Sequence, residues 1–317
     1  MEKGRWTKIS RPPGSSETST DGFELVLGQL LRAIGMQSLM SNEITADDIA
    51  QYLSARDDFD LELFAQRTLE SNGWDVTHGG TYPDPVTGKF RQFDIRAQRK
   101  FSHGRNVFLC VECKSLSREN PLVVSRVARP EGESYHHLIS LAPRPQIGDT
   151  VPTVARCDHR TQTLYSVDAR TGKSMTQISK NREGGFKTSD SDTYDRWSQA
   201  LASSAPLIRE IAHTTAYLQA PAICFFMPIL LVSNETLWVV DYQADATRSP
   251  PRQENEAVFF VDRACDIDHP RYKGRYCQTH LHIHTRAGFE RLIQRLGAPD
   301  SLLMERIFGQ ALRTPFQ

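Results

Sequence analysis

The 317-residue chain has no surplus of either charge, since 38 lysines and arginines face 38 aspartates and glutamates. A neutral balance removes the general electrostatic pull toward nucleic acid or an anionic membrane, so any such affinity has to come from local basic surface. No apolar run approaches the length of a membrane span, and the amino terminus lacks the apolar core of a signal peptide. A cytoplasmic protein is expected. Cysteine is scarce, six residues with no dense framework, which excludes a disulfide scaffold. Cys110, Cys113 and Cys224 sit in apolar, strand-like runs where reduced thiols pack well. Cys110 and Cys113 have the spacing of a redox pair, but on an extended strand they point to opposite faces.

What is present suffices for one elaborated domain or two small ones. Residues 1–20, rich in Gly, Pro, Ser, Thr and charge, read as a loose tail. A single domain over 21–317 follows. Asp21 and Glu24 form a capping box before the stripe Phe23, Val26, Leu27, Leu30, Leu31 and Ile34, which Gly35 ends. A shorter helix is expected near 45–55, then one over DLELFAQRTLESNGW that stops at Gly73.

The chemistry concentrates in the next two segments. FRQFDIRA reads as a strand with Asp94 and Arg96 on one face and Phe93, Ile95 and Ala97 on the other. VFLCVECK places Glu112 and Lys114 together, with Val107, Leu109, Val111 and Cys113 opposite. An apolar run of this kind is a strand buried on both sides, where an acid and a base are costly unless paired or bound to an ion. Mg2+ is commonly held by one or two carboxylates, so Asp94 and Glu112 suffice as the core of a site for Mg2+ or Mn2+. Such an ion lowers the pKa of a bound water and neutralises charge on a phosphorus centre. Lys114 would position that water or stabilise the developing charge. The plainer reading is a solvated Glu112–Lys114 pair at a strand end, with Asp94 capping a turn.

Residues 58–114 resemble the PD-(D/E)XK nuclease superfamily of restriction enzymes, repair nucleases and resolvases. Three parts carry the resemblance: a helix with Glu62 near its start, a hairpin through YPDPVTGKFRQFD, and VECK ending the third strand. The resemblance implies an α/β protein with a restriction-endonuclease-like αβββαβ core, a mixed central sheet and a helical part before it. It also implies that Glu62 joins Asp94 and Glu112 around the metal, with Lys114 completing the catalytic set. The activity implied is endonucleolytic cleavage of DNA, with RNA left open, in restriction, anti-phage defence or repair. The partners implied are DNA and either a second copy or a subunit of a defence complex. The literal Pro83-Asp84 pair is the alternative to Asp94. It lies in a Pro-rich stretch before the Thr87-Gly88-Lys89 turn, whereas Asp94 lies inside a strand beside the ExK strand.

Arg96, Arg99, Lys100, His103 and Arg105 cluster around the next hairpin tip and offer the local basic surface for nucleic acid beside that site; singly, each is also a solvated turn residue. From Ser115 to Asp190 the chain is mixed and carries eleven Lys/Arg against eight Asp/Glu. Short strands are expected at Leu138–Leu141 and Thr163–Val167, so residues 115–190 read as an insertion or subdomain suited to substrate selection. A helix over 192–218 carries Tyr194, Trp197, Leu201, Ile208 and Ile211, with a kink or split at Pro206. On it, Gln199 is either a surface residue or a polar contact to the site. AICFFMPILLVSN and LWVVDYQ read as a strand pair around a polar turn.

The carboxy-terminal part holds a rival site in Cys265, Cys277, His280, His282 and His284. HLHIH puts three histidines on one strand face, and with Cys277 they could bind zinc. The spacing matches no common zinc motif, and histidines on a solvated strand face need no metal. Two short helices follow Arg286, broken at Gly297-Ala298-Pro299. Besides a nuclease, two classes stay open: a catalytically silent nuclease-fold binding or scaffolding subunit, and a zinc-dependent interaction protein.

Overall fold

The computed structural model describes residues 43–309 apart from 86, 145–148, 189, 214–220, 271 and 299–300. The tail and the Asp21–Ile34 helix lie outside the described residues. Two compact units divide the chain, Met1–Tyr52 and Leu53–Gln317. In the first, Thr45 and Asp48 cap helix α1 (Ala46–Arg56) reciprocally: the Asp48 carboxylate accepts the Thr45 N–H at 2.9 Å and the Thr45 hydroxyl accepts the Asp48 N–H at 3.2 Å.

The chain is a mixed α/β protein with a 13-stranded sheet and five helices among the described residues. Helix α2 (Asp58–Ser71) starts at Asp57, whose side chain accepts the Phe59 N–H at 3.0 Å, and ends before Gly73, which takes the left-handed conformation at φ 75°. Leu61, Ala65 and Leu69 recur every four residues and make its buried stripe. Strands β1 (Asp75–Pro83), β2 (Phe90–Lys100) and β3 (Arg105–Lys114) form an antiparallel meander. Next come β4 (Leu122–Ala128), β5 (Tyr135–Arg144), β6 (Asp149–Asp158), β7 (Arg170–Lys180) and β8 (Phe186–Thr188). Helix α3 (Asp190–His213) runs through Pro206 unbroken and leads to β9 (Ala222–Val232). Strands β10 (Leu237–Asp241), β11 (Arg252–Gln253), β12 (Glu256–His269) and β13 (Tyr272–Thr285) and helices α4 (Arg286–Gly297) and α5 (Leu302–Phe308) complete the fold.

The main sheet order is β1-β2-β3-β9-β13-β12-β7-β4-β10-β11. β9 is parallel to both β3 and β13 and buried at every position, which its continuous apolar sequence dictates. α2, α4 and α5 pack on one face, against Val107, Leu109, Val111 and Cys113 of β3. α3 covers the other, where Ala205, Ile208 and Ala212 meet Phe108, Cys224 and Phe226.

Several expectations are corrected. β9 and β10 do not pair, because β3, β13 and β5 occupy the edges of β9; β10 instead runs parallel to β4. Residues 163–167 form no strand. Within the stretch 115–190, β4 and β7 lie in the main sheet and β5 pairs with β9. A buried ion pair fixes that union, with Arg126 of β4 donating to both Asp241 carboxylate oxygens at 2.8 and 3.1 Å. Phe93 does not share a face with Ile95. It packs with Tyr82 and Ala202 under α3, while Ile95 joins the α2 side, so the alternation breaks at Asp94. Gly80, opposite Phe93, leaves room for the ring, which any Cβ there would strike.

Candidate active site

The break at Asp94 has a visible cause. The β2–β3 ladder ends at Ile95 and Val111, and beyond it Asp94 Oδ2 accepts the Cys113 N–H at 2.7 Å. The half-buried carboxylate thus lies between the two faces of the sheet and replaces a strand partner. Glu112, only 2% exposed, points to the α3 face together with the half-buried Lys114. With its amide oriented to satisfy both neighbours, Gln199 of α3 donates to Glu112 Oε1 at 2.6 Å and accepts from Arg91 Nη1 at 3.2 Å. Arg91 Nε in turn meets Asp84 Oδ2 at 2.6 Å. The alternative acid Asp84 is therefore buried at the β1–β2 turn and linked to Glu112 through Arg91 and Gln199. Its other oxygen holds the turn by accepting the Thr87 N–H at 2.9 Å.

Tyr82 belongs to the same side. Its hydroxyl is buried without a hydrogen-bond partner among the described residues, and burial followed by the Glu112 charge pushes its pKa up to about 12.

Glu62 stands on the opposite face. Its carboxylate meets His78 Nε2 at 2.8 Å, and His78 lies across from Ile95 on the α2 side. Even so, it shares a neighbourhood with the other acids. The Cys113 thiol is pushed well above its ordinary pKa first by complete burial, then by the charges of Asp94, Glu62, Glu112 and Asp58. The charges of four carboxylates are thus felt at Cys113, the residue before Lys114. Asp58, at the first turn of α2, accepts the Ser115 N–H and ties the helix start to the end of β3. Among the described residues, no three Asp, Glu, His or Cys side chains approach closely enough to hold a metal ion as they stand.

Sequence reasoning missed Asp58, Arg91 and His78. Asp58 was legible only as an acid at a helix start, and Arg91 only as a strand residue beside a turn; the contacts of all three depend on how the helices cross the sheet.

The expected nucleic-acid cations have different surroundings. The Lys100–Arg105 tip is not beside Glu112, because β3 runs seven residues from Arg105 to Glu112, roughly 23 Å. Arg105 is buried and donates to the Ser102 carbonyl at 3.0 Å and hydroxyl at 2.8 Å. Arg96 lies under α3, bonded to the Ser203 carbonyl and stacked 4.2 Å from the Phe93 ring centre. Arg99 donates to the Asn72 carbonyl at 2.8 Å, so Lys100 and His103 are the exposed members of that set. The site end of the sheet instead carries exposed Lys89 and Arg118. There a cleft of about 620 Å³ opens where β3 and β9 end, between Ser115, Ser117, Ser233 and Asn234, with Asp57, Asp60 and Arg286 at the starts of α2 and α4.

The zinc alternative meets a different geometry. His280, His282 and His284 are buried rather than solvated: the His280 ring stacks on Tyr165 with centroids 3.5 Å apart, and the Tyr165 hydroxyl meets His282 Nε2 at 2.8 Å. Cys265 packs under α3 beside Tyr276, its thiol donating to the Ala205 carbonyl at 3.6 Å. Cys277, the neighbour of Tyr276, points the other way. All six cysteines are free, and Cys110 and Cys113 lie on opposite faces of β3. No helix among the described residues is long and apolar enough to cross a membrane. No family model, curated protein or solved structure matches the chain.

Proposed function

We propose that the protein is a metal-dependent phosphodiesterase that cuts DNA, with Asp94, Glu112 and Lys114 at its centre. The observation that carries this reading is the buried Glu112 carboxylate at the end of β3, oriented by the Gln199 amide, with Lys114 on the same face and Asp94 on the adjoining strand. The element order α2, β1, β2, β3, α3, β9, with β9 parallel to β3, supports a restriction-endonuclease-like αβββαβ core. Residues 115–189 enter this core as an insertion between β3 and α3.

The donor set suits Mg2+ or Mn2+. Asp94 and Glu112 offer hard oxygen ligands, and such ions accept one or two carboxylates while keeping waters and substrate phosphate. When bound, the ion supplies an activated water and charge neutralisation at phosphorus. The rest falls to the chain itself. Lys114 offers an ammonium to the attacking water or to charge developing on the phosphate. Gln199, held by Arg91 and through it by Asp84, fixes the direction of the Glu112 carboxylate. Glu62 is left out of the ligand set because His78 holds its carboxylate.

A binding subunit without chemistry is the second reading. It would keep the Glu112–Gln199–Arg91–Asp84 chain as a structural network. Incubation with plasmid, linear and single-stranded DNA and with RNA, with and without Mg2+ or Mn2+, separates the two. Cleavage that requires the metal supports the nuclease; binding without cleavage of any substrate supports the subunit.

A further inference from the structure

A second pocket, about 370 Å³, opens on the face of the sheet opposite Glu112, between the β12–β13 hairpin, α4, α5 and the segments flanking β4 and β7. Five arginines line it against two glutamates. Two of the five are committed: Arg126 to Asp241 and Glu254, and Arg295 to Glu256 at 2.9 Å. Arg129, Arg170 and Arg306 form no ion pair among the described residues.

Two buried groups make this more than a basic surface. Arg129 is 3% exposed; one of its nitrogens bonds the Ser166 carbonyl at 2.9 Å, but Nε has no partner among the described residues. His284 is 2% exposed, and neither ring nitrogen has a hydrogen-bond partner among the described residues, the Glu256 carboxylate standing 4.0 Å from Nδ1. A buried cation and a buried imidazole left unsatisfied each carry a desolvation cost that a bound oxyanion would relieve.

We propose that this pocket binds a phosphate monoester, with the phosphoryl group set against Arg129 and His284 and met at the rim by Arg306. Three cations without an ion pair among the described residues suit a dianion better than a carboxylate, and guanidinium forks match phosphate oxygens. Leu164, Leu292 and Leu303 give the pocket apolar wall for the organic part of the ligand. The volume admits a phosphoryl group and a small moiety, not a duplex. The same chemistry has two sources, a free phosphorylated small molecule or the 5′-phosphate of an oligonucleotide end.

The test is titration calorimetry on the full chain in EDTA, with ionic strength held constant by chloride. The probes are inorganic phosphate, a nucleoside 5′-monophosphate, and a dinucleotide with and without a 5′-phosphate. Saturable binding of phosphate and of the monophosphate is expected, weakened roughly tenfold by Arg306→Glu, since one charge-assisted bond is lost. Arg306 is exposed, so that variant keeps its fold; His284→Leu is the second variant and should weaken binding likewise. Binding of the 5′-phosphorylated dinucleotide but not its 5′-hydroxyl form assigns the site to chain ends, and binding of the mononucleotide alone assigns it to a small molecule. No saturable binding of phosphate or monophosphate, or binding that Arg306→Glu and His284→Leu both leave unchanged, would overturn the proposal.

Discussion

Asp94 and Cys113 are joined by a hydrogen bond from the Cys113 N–H to Asp94 Oδ2 at 2.7 Å, one residue past the last β2–β3 pair. Asp94 therefore has a structural task as well as the proposed chemical one, and two substitutions separate them. Asp94→Asn keeps an acceptor for the N–H and removes the charge, so it should fold with near-native stability and lose metal-dependent cleavage. Asp94→Ala leaves a donor unpaired at a part-buried position and should lose about 1–3 kcal/mol in urea unfolding. Full cleavage by the Asn variant would reduce Asp94 to its structural task.

On the proposed reading, Gln199 positions Glu112 through its amide. Gln199→Ala removes the amide that orients the carboxylate while leaving the charges of Asp94, Glu112 and Lys114 in place. Cleavage should fall roughly 10- to 100-fold, the scale of a small misplacement of a reacting group. Because Gln199 does not touch the substrate in this account, the loss should appear in kcat with KM little changed. Gln199→Glu, which sets a second carboxylate against Glu112, should raise the Glu112 pKa and move the acid limb of the cleavage profile to higher pH. An unshifted profile with full kcat would remove Gln199 from the site.

The facing of Glu112, Lys114 and Cys113 was legible because a strand alternates strictly and VFLCVECK sits wholly within β3. The β1–β2 turn was legible from Thr87-Gly88-Lys89, with Gly88 at φ 69°. What was not legible depends on layers. Nothing local in the Glu62 helix says that it covers the Cys113 face while α3 covers the Glu112 face, so the placing of Glu62 and Glu112 on opposite sides of β3 could not be read from the sequence. HLHIH reads alike whether its histidine face meets water or a second layer, and α4 with the Tyr165 segment decides it. The β9–β10 pairing failed for a similar reason, since the insertion supplied the partner β4 from far away in sequence.

The DNA path should follow the end of the sheet where β3 and β9 finish. Neutralising Lys89 and Arg118 together should weaken DNA binding in Ca2+ and flatten its salt dependence, because fewer counterions are released. Lys100→Ala, at the far tip, should leave both unchanged. The opposite result, a flatter slope only for Lys100→Ala, would move the path to the other end of the molecule.

Acid stability should depend on buried histidines. Burial pushes His136 down to about 4 and His282 to about 3. Both are neutral in the fold near pH 5, whereas in the unfolded chain they bind protons below about 6.5. Unfolding then takes up protons, so stability is lost as pH falls from 6.5 toward the folded values, by on the order of a few kcal/mol per histidine. Urea midpoints at pH 7.5 and 4.5 check this. His136→Gln, which keeps polar contacts toward Thr163 and the Ile307 carbonyl but cannot titrate, should show a smaller drop between the two; an equal drop would assign the acid loss to other groups.

The central claim is tested most directly by plasmid cleavage in Mg2+ with the native chain and Glu112→Gln side by side. Glutamine fills the same buried space and can still meet Gln199, so the fold should be preserved, as a thermal melt of both proteins would verify. The account predicts nicked and linear DNA from the native chain only when metal is present, and none from Glu112→Gln. Equal cleavage by the two folded proteins would contradict it.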